Sequence, residues 1–282
     1  MKKNITRTIL AGFLALSLAL LPAAGLQQAD AAKISDKPLN FYVGIPEHKE
    51  TKSYISRQAQ SNFTSPVRRD SSSGLAFLES VAQQEHGLTL QAIYNQVAAN
   101  PQVSGYMNST FYNAVNSALS KENLNRSLNF IKQANSYRSG APLRVSAEQM
   151  MVAAVSNGIH QASHRPHILF YSDQQLYGNT CEANYVYFAE NLAEGYLDPF
   201  EGWYSYEGNL YAQGDRSENV GHFTTLMSGK YNITGFATAY DRVPNLTAPY
   251  SHCQVFGNAA SLGNYMTVEA FQAALRSEEH TS

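Results

Sequence analysis

The chain reads as an α+β protein in which helices come first and strands after. Three observations predict this. Apolar residues recur at spacings of three and four from Leu75 to Ile159, the helical period. Two β-rich runs, Ile233–Tyr240 and Ser251–Phe256, come late and are bounded by turn residues Asp241, Pro244 and Pro249. Little β-α-β alternation precedes them, which argues for a layered α+β domain rather than a parallel sheet. No internal repeat is present.

In chain order, Lys2, Lys3 and Arg7 open a basic start, Ile9–Leu21 is an apolar run, and Ala29-Asp30-Ala31 supplies small residues around a cleavage point. Residues 1–31 therefore read as an export signal cut after Ala31, too short in its apolar part for a comfortable membrane span. Residues 32–73 are polar, carry Pro38, Pro46, Pro66 and the run Glu47-His48-Lys49-Glu50, and read as a flexible leader. Residues 74–121 form a helical extension. Leu75, Leu78, Val81 and Ala82 mark one helix, Leu90, Ile93, Tyr94 and Val97 a second, and Val103–Ser120 a third. This part shows no chemistry and is expected to serve packing or spacing. Leu124–Tyr137 is helical through Leu128, Ile131 and Ala134, with Gly140 at its end. Ser146 with Gln149 makes a capping box for the next helix, which runs to Ser163 and delivers His164 at its C-terminus. The last seven residues, 276–282, can be encoded by a common sequencing adapter, so they are expected to be an artefact and His280 is set aside.

Removing Lys2, Lys3, Arg7 and Asp30 with the signal leaves 17 basic and 21 acidic residues, a net charge of −4. A mildly acidic exported chain without basic clusters gives no reason to expect nucleic acid or anionic lipid as a partner. Cys181 and Cys253 are the only cysteines. In an oxidising compartment they suggest one disulfide, worth roughly 4 kcal/mol in the chain-entropy model, against the alternative of two buried thiols.

Four words carry the chemistry. Glu190 lies in Ala189-Glu190-Asn191-Leu192-Ala193, a carboxylate beside apolar and small residues that fits a cleft wall. Glu207 follows the sole tryptophan, Trp203, by four residues, with Glu201 and Glu218 as competitors. His222 stands in Gly221-His222-Phe223-Thr224, and His164 in Ser163-His164-Arg165-Pro166, with His160 and His167 as alternatives. Two imidazoles and two carboxylates can hold a divalent ion or move protons. His160 and His164 also make the H-x-x-x-H spacing, but Gln161 stands where a zinc protease has its glutamate. There is no Gly-x-Ser-x-Gly elbow, phosphate loop or nucleophilic Cys–His context. The 18 tyrosines offer an amphipathic recognition surface.

These words, in the order His, Glu, Glu, His, resemble the CAP superfamily of secreted proteins (SCP-like; cysteine-rich secretory, antigen 5, pathogenesis-related 1). The resemblance covers residues 122–275, from Asn129–Arg138, similar to the family's opening helix, onward. Departures are Ala189 for the family's glycine, a Trp203-to-Glu207 spacing of four rather than three, and Thr225 and Ser228 where the family has Gln and Trp. The resemblance implies an α-β-α sandwich with a broad cleft holding His164, Glu190, Glu207 and His222. It also implies that His164 and His222 bind Zn²⁺ or another divalent cation while the glutamates line the cavity. The expectation is a secreted bacterial protein, with wall attachment left open, that binds a lipid, a cell-wall component or a protein. The rivals are a metal-dependent hydrolase with Glu190 or Glu207 as base, and a structural surface protein with an inert cleft.

Overall fold

The computed structural model describes the backbone of residues 41–44, and residues 72–181, 188–240 and 249–279. The expected signal at 1–31, most of the leader and residues 280–282 lie outside these ranges. The elements are β1 (Phe41–Gly44), α1 (Leu75–Ala82), α2 (Leu90–Ala99), α3 (Ser109–Ala118), α4 (Lys121–Tyr137), β2 (Arg144–Val145), α5 (Ala147–Ser163), α6 (Ile168–Ser172), α7 (Gln174–Gly178), β3 (Phe188–Glu194), α8 (Glu207–Ala212), α9 (Gly221–Met227), β4 (Ile233–Tyr240), β5 (Tyr250–Gly257) and α10 (Val268–Glu279). The expected mixture of helices and strands is thus present.

The sheet runs β1-β3-β5-β4-β2, antiparallel throughout except where β2 meets β4. Its register fixes which residues share a face. Glu190 pairs with Val255, which pairs with Gly235, while Leu192 pairs with Cys253, which pairs with Ala237. These residues look toward α5. The glycine at 235 has a physical cause, because a Cβ there would meet Gln149 and Met150 backbone closer than 3.0 Å. The α5 backbone rests directly on β4. The alternate residues look the other way: Phe236 stacks on Phe130 of α4 at 5.2 Å and lies 6.0 Å from Trp203. Buried His252, on the same face, packs its ring edge on Phe130.

Helix α5 is buried along almost its whole length, from Ala147 to Gln161. One face meets the sheet; the other is covered by the 74–121 segment. A Cβ on Gly158 would come within 2.8 Å of Val115 and 2.9 Å of Phe111, so α3 and α5 approach closely there. One hydrophobic core runs continuously from Leu75 to Leu275. The extension is therefore an outer layer of the same core, and its burial of Leu75, Leu78, Ile93, Tyr94 and Val97 follows the expected spacing.

A polar clasp fixes that layer to the N-terminus of α5. Glu85 accepts hydrogen bonds from Ser146 Oγ (2.7 Å), Ala147 N (2.7 Å) and Glu148 N (3.1 Å). In return Glu148 accepts from His86 N (2.9 Å) and Leu88 N (2.7 Å) and pairs with His86 Nδ1 at 2.7 Å. Only half of the expected capping box forms. Ser146 Oγ does accept from Gln149 N at 3.1 Å, but the Gln149 side chain turns inward to Thr180 and Cys181. Burial pushes the Glu85 carboxyl up to about 7, against the lowering effect of its hydrogen bonds.

Four further expectations are corrected. Part of the leader is a strand: Phe41-Tyr42-Val43-Gly44, a β-prone run too short to show a period, pairs with β3. The third helix is shorter than expected, a turn at Ser104–Tyr106 followed by α3 from its cap Asn108. Helix α4 ends at Arg138, whose guanidinium donates to Leu226 O (2.5 Å) and Tyr231 O (3.1 Å), and not at Gly140. Cys181 and Cys253 are unbonded buried thiols. The Cys181 sulfur packs against Gly257, four residues along β5 from Cys253. That is about 13 Å at strand rise, beyond disulfide geometry. Burial raises both thiols, Cys181 to about 11, so both stay protonated.

Candidate functional site

Two carboxylate–imidazole pairs dominate the residues singled out by sequence. In the first, His222 Nδ1–H donates to Glu207 Oε1 at 2.5 Å, and the other carboxylate oxygen accepts from Phe223 N at 2.9 Å. Both side chains are buried. The imidazole lies nearly parallel to the Trp203 ring, 5.8 Å between centres and 10° apart. Trp203 in turn donates its indole N–H to Leu192 O, and Asn191 donates its amide to His222 O at 3.3 Å. The Ala-Glu-Asn-Leu word thus supports His222 through Asn191 and Leu192, not through its glutamate.

The unusual spacing of Trp203 and Glu207 has a local cause. Residues Glu201–Tyr206 form a π-helical turn before α8 begins at Glu207. A π-turn is wider than an α-turn and takes up one extra residue. Glu207, four residues after the tryptophan, still reaches the ring stacked on it. Glu201, a competitor, is exposed.

The second pair replaces a predicted one. Glu190 is fully buried and bonds His167, not His164: its Oε1 accepts from His167 Nδ1 at 2.8 Å. The other oxygen accepts from Ser156 Oγ (2.5 Å) and Tyr177 OH (2.6 Å), with Cys253 Sγ 3.5 Å away. Burial alone raises this carboxyl, but the His167 hydrogen bond and charge, with both hydroxyls, bring it below the usual carboxylate range. His164 takes the left-handed C-cap of α5 at φ 51° and is exposed. His167, at φ 53°, turns the chain back inward. His160, still within α5, pairs with Glu194 at 3.2 Å. The H-x-x-x-H spacing therefore puts no two imidazoles on one helical face, because the helix ends before its second member.

The two pairs lie on opposite faces of β3. Successive strand residues point to opposite sides; Glu190 meets α5 and α7, whereas Asn191 meets His222. The four expected residues do not converge. His164 caps the helix on the Glu190 side, and His222 sits on the Asn191 side with its Nδ1 already engaged. Among the described residues no group of three or more His, Cys, Asp or Glu side chains is placed to hold a metal ion. The residues present do not fit the divalent ion that the resemblance implies. Also among the described residues, no helix is long and apolar enough to cross a membrane.

Ser156, Tyr177 and the Glu85/His86/Glu148 clasp were not legible as polar partners. Each is met across more than ten residues, and Ser156 sits in a helix whose other signals are apolar. Around the first pair, the side chains are aromatic. Phe223 contacts Tyr204 and Tyr211 at ring distances of 6.0 and 5.2 Å, and Tyr204 stacks on Tyr137 at 3.8 Å. Tyr206, next to Glu207, is 60% exposed and Leu197 is 69% exposed. Compared with protein-family models, curated proteins and solved structures, the chain matches none.

Proposed function

We propose that this chain is an exported binding module of the CAP type, which recognises a cell-wall component or a lipid through the aromatic rim beside Glu207 and His222. The observation that carries the reading is the combination of a locked dyad with exposed apolar neighbours. Both Glu207 oxygens are occupied from within the protein. Exposed Tyr206 adjoins it in sequence, and part-exposed Phe223, which donates to Glu207, packs on part-exposed Tyr211. Large exposed apolar side chains grouped on a rigid support are characteristic of recognition surfaces. The CAP assignment is supported by the sequence words in the order His, Glu, Glu, His and by helices on both faces of a largely antiparallel sheet. Export is supported by the basic-then-apolar start of the sequence.

A hydrolase is the second reading, favoured by the carboxylate–imidazole pairing, which is the arrangement that orients a general base. Co-sedimentation of residues 32–282 with isolated wall material and with phospholipid vesicles separates the two. Binding that is lost in a Tyr206→Ala/Tyr211→Ala double variant of unchanged melting temperature supports the module. Binding unaffected by that variant refutes it. Turnover of an ester or peptide panel that vanishes in Glu207→Gln, without binding, establishes the hydrolase instead.

A further inference from the structure

We infer that the corner between α1 and α2, residues 83–88, is a pH-operated latch on the N-terminus of α5, closed at mildly acidic pH and locally open above neutrality. The latch fastens the outer helical layer and is independent of the ligand proposed above.

The contact is an exchange of carboxylates between two segments far apart in sequence. Glu85, from the corner, takes donors at the start of α5: Ser146 Oγ, Ala147 N and Glu148 N. Glu148, from α5, takes His86 N and Leu88 N of the corner, and its second oxygen meets His86 Nδ1. Each acid thus holds the other's segment, and parting them frees backbone donors on both sides. The titratable groups that meet here are Glu85 and His86 of the corner and Glu148 of α5. The charged group whose field acts on Glu85 is Glu148, and the two carboxylates repel. Glu79 of α1 accepts instead from Leu90 N, at 3.3 Å, and the sequence of α2 contains no Asp, Glu, Lys, Arg or His.

Protons decide whether this arrangement is balanced. With Glu85 protonated and His86 charged, one anion, Glu148, faces one cation. With Glu85 ionised and His86 neutral, two carboxylates face each other and the imidazole offsets neither. Both changes run the same way as pH rises, and imidazole is the side chain that ordinarily titrates near neutrality. The Glu148 side chain is fully buried and that of His86 is 28% exposed, so solvent reaches the latch through the histidine. The corner is also where opening disturbs the core least. Gln83, Gln84 and His86 are exposed, Gly87 turns the chain at φ 77°, and Leu88 is the buried apolar residue of the stretch. The anchors Leu78 and Ile93 belong to the helices on either side. Segments with few buried apolar contacts open locally before the whole domain does. Burial holds Glu85 up to about 7; opening returns it to water and to its ordinary 4.5, so each opening sheds a proton between those limits. The opening constant therefore rises about tenfold per pH unit across that range and levels off above it.

The test is hydrogen exchange of residues 32–282 from about pH 5 to about pH 8.5, with rates corrected for the intrinsic pH dependence of exchange. The amides read are His86, Leu88, Ala147 and Glu148, which the two carboxylates hold. The β4 and β5 amides report unfolding of the whole domain. The four latch amides are expected to open more often than the sheet amides at every pH. Their opening should rise about a hundredfold between about pH 5 and pH 7 and then level off. In Glu85→Gln that rise should shrink to about tenfold or less. A flat profile in the parent overturns the inference, and so does an unchanged profile in Glu85→Gln. Equal opening constants at the latch and in the sheet also overturn it, because the corner then moves only with the whole domain. If Glu85→Gln does not fold, the parent profile and the Glu85 carboxyl titration by carbon NMR decide: a midpoint near the ordinary carboxylate value overturns the latch.

Discussion

Replacing Gly235 by alanine tests the central packing relation, the seating of α5 on β4. A Cβ at this position meets the carbonyl carbon and oxygen of Gln149 and the nitrogen of Met150. All three are helix backbone, so no side-chain rotation relieves the clash. Ordinary contact begins near 3.4 Å, so α5 must lift from the sheet by more than an ångström. Overpacking of a filled core costs about 1–3 kcal/mol, and a clash against rigid backbone falls at the upper end. Alanine also restricts the unfolded chain, which returns about 0.4–1 kcal/mol. The net loss is about 2 kcal/mol, or roughly 4–8 °C in melting temperature for a chain of this size. Gly140→Ala is the control, because a Cβ there meets nothing within 4 Å. Urea and thermal unfolding of the three proteins decide the matter. A Gly235→Ala protein as stable as the parent refutes the helix-on-sheet contact, and with it the assignment of Glu190 to the α5 face.

The remaining expectations concern the buried polar groups. His167→Ala leaves the Glu190 carboxylate buried without its hydrogen-bonded imidazole and should cost about 3–5 kcal/mol in urea unfolding, while His164→Ala should be nearly neutral; the reverse order overturns the replacement of one histidine by the other. Glu85, raised to about 7 from 4.5, contributes stability that is complete below pH 4.5 and lost as pH rises through about 7, a change of about 3 kcal/mol. His252 is lowered by burial from 6.5 to about 4, so its contribution is complete above pH 6.5 and lost as pH falls toward 4. The two slopes oppose each other between pH 4.5 and 6.5. Glu85→Gln should unmask a loss of stability on acidification, and His252→Asn a loss on alkalinisation, in melting temperatures recorded across that range. Denaturation without reductant should release two thiols per chain to a thiol reagent, with almost no reaction in the native state; thiols that appear only after reduction contradict the free cysteines.

Much of the helical framework was written locally. The apolar spacing of Leu75–Val97 and Leu124–Ala134, and the cap at Ser146, depend on residues one turn apart, which a linear reading sees directly. The runs Ile233–Tyr240 and Ser251–Phe256 declared themselves through β-rich composition, and Glu207 and His222 through their words. Strand β3 was harder. Its motif reads as a site, and its seven residues are almost all buried, so no alternation of apolar and polar marks it. The four-residue spacing of Trp203 and Glu207 looked like a defect until the π-turn absorbed it.

What the sequence determined by itself is the mixture of helices and strands, the apolar faces of the early helices and the chemical types available to a site. Tertiary structure alone decided the pairings. Which histidine meets Glu190 depends on a helix ending at Ser163 and two left-handed residues after it. Whether two cysteines bond depends on four residues of strand rise, and whether Glu190 shares a cavity with His222 depends on strand parity. Local spacing fixes a side chain's direction only relative to its own element. The face to which that element turns, and what it meets there, is set by contacts distant in sequence.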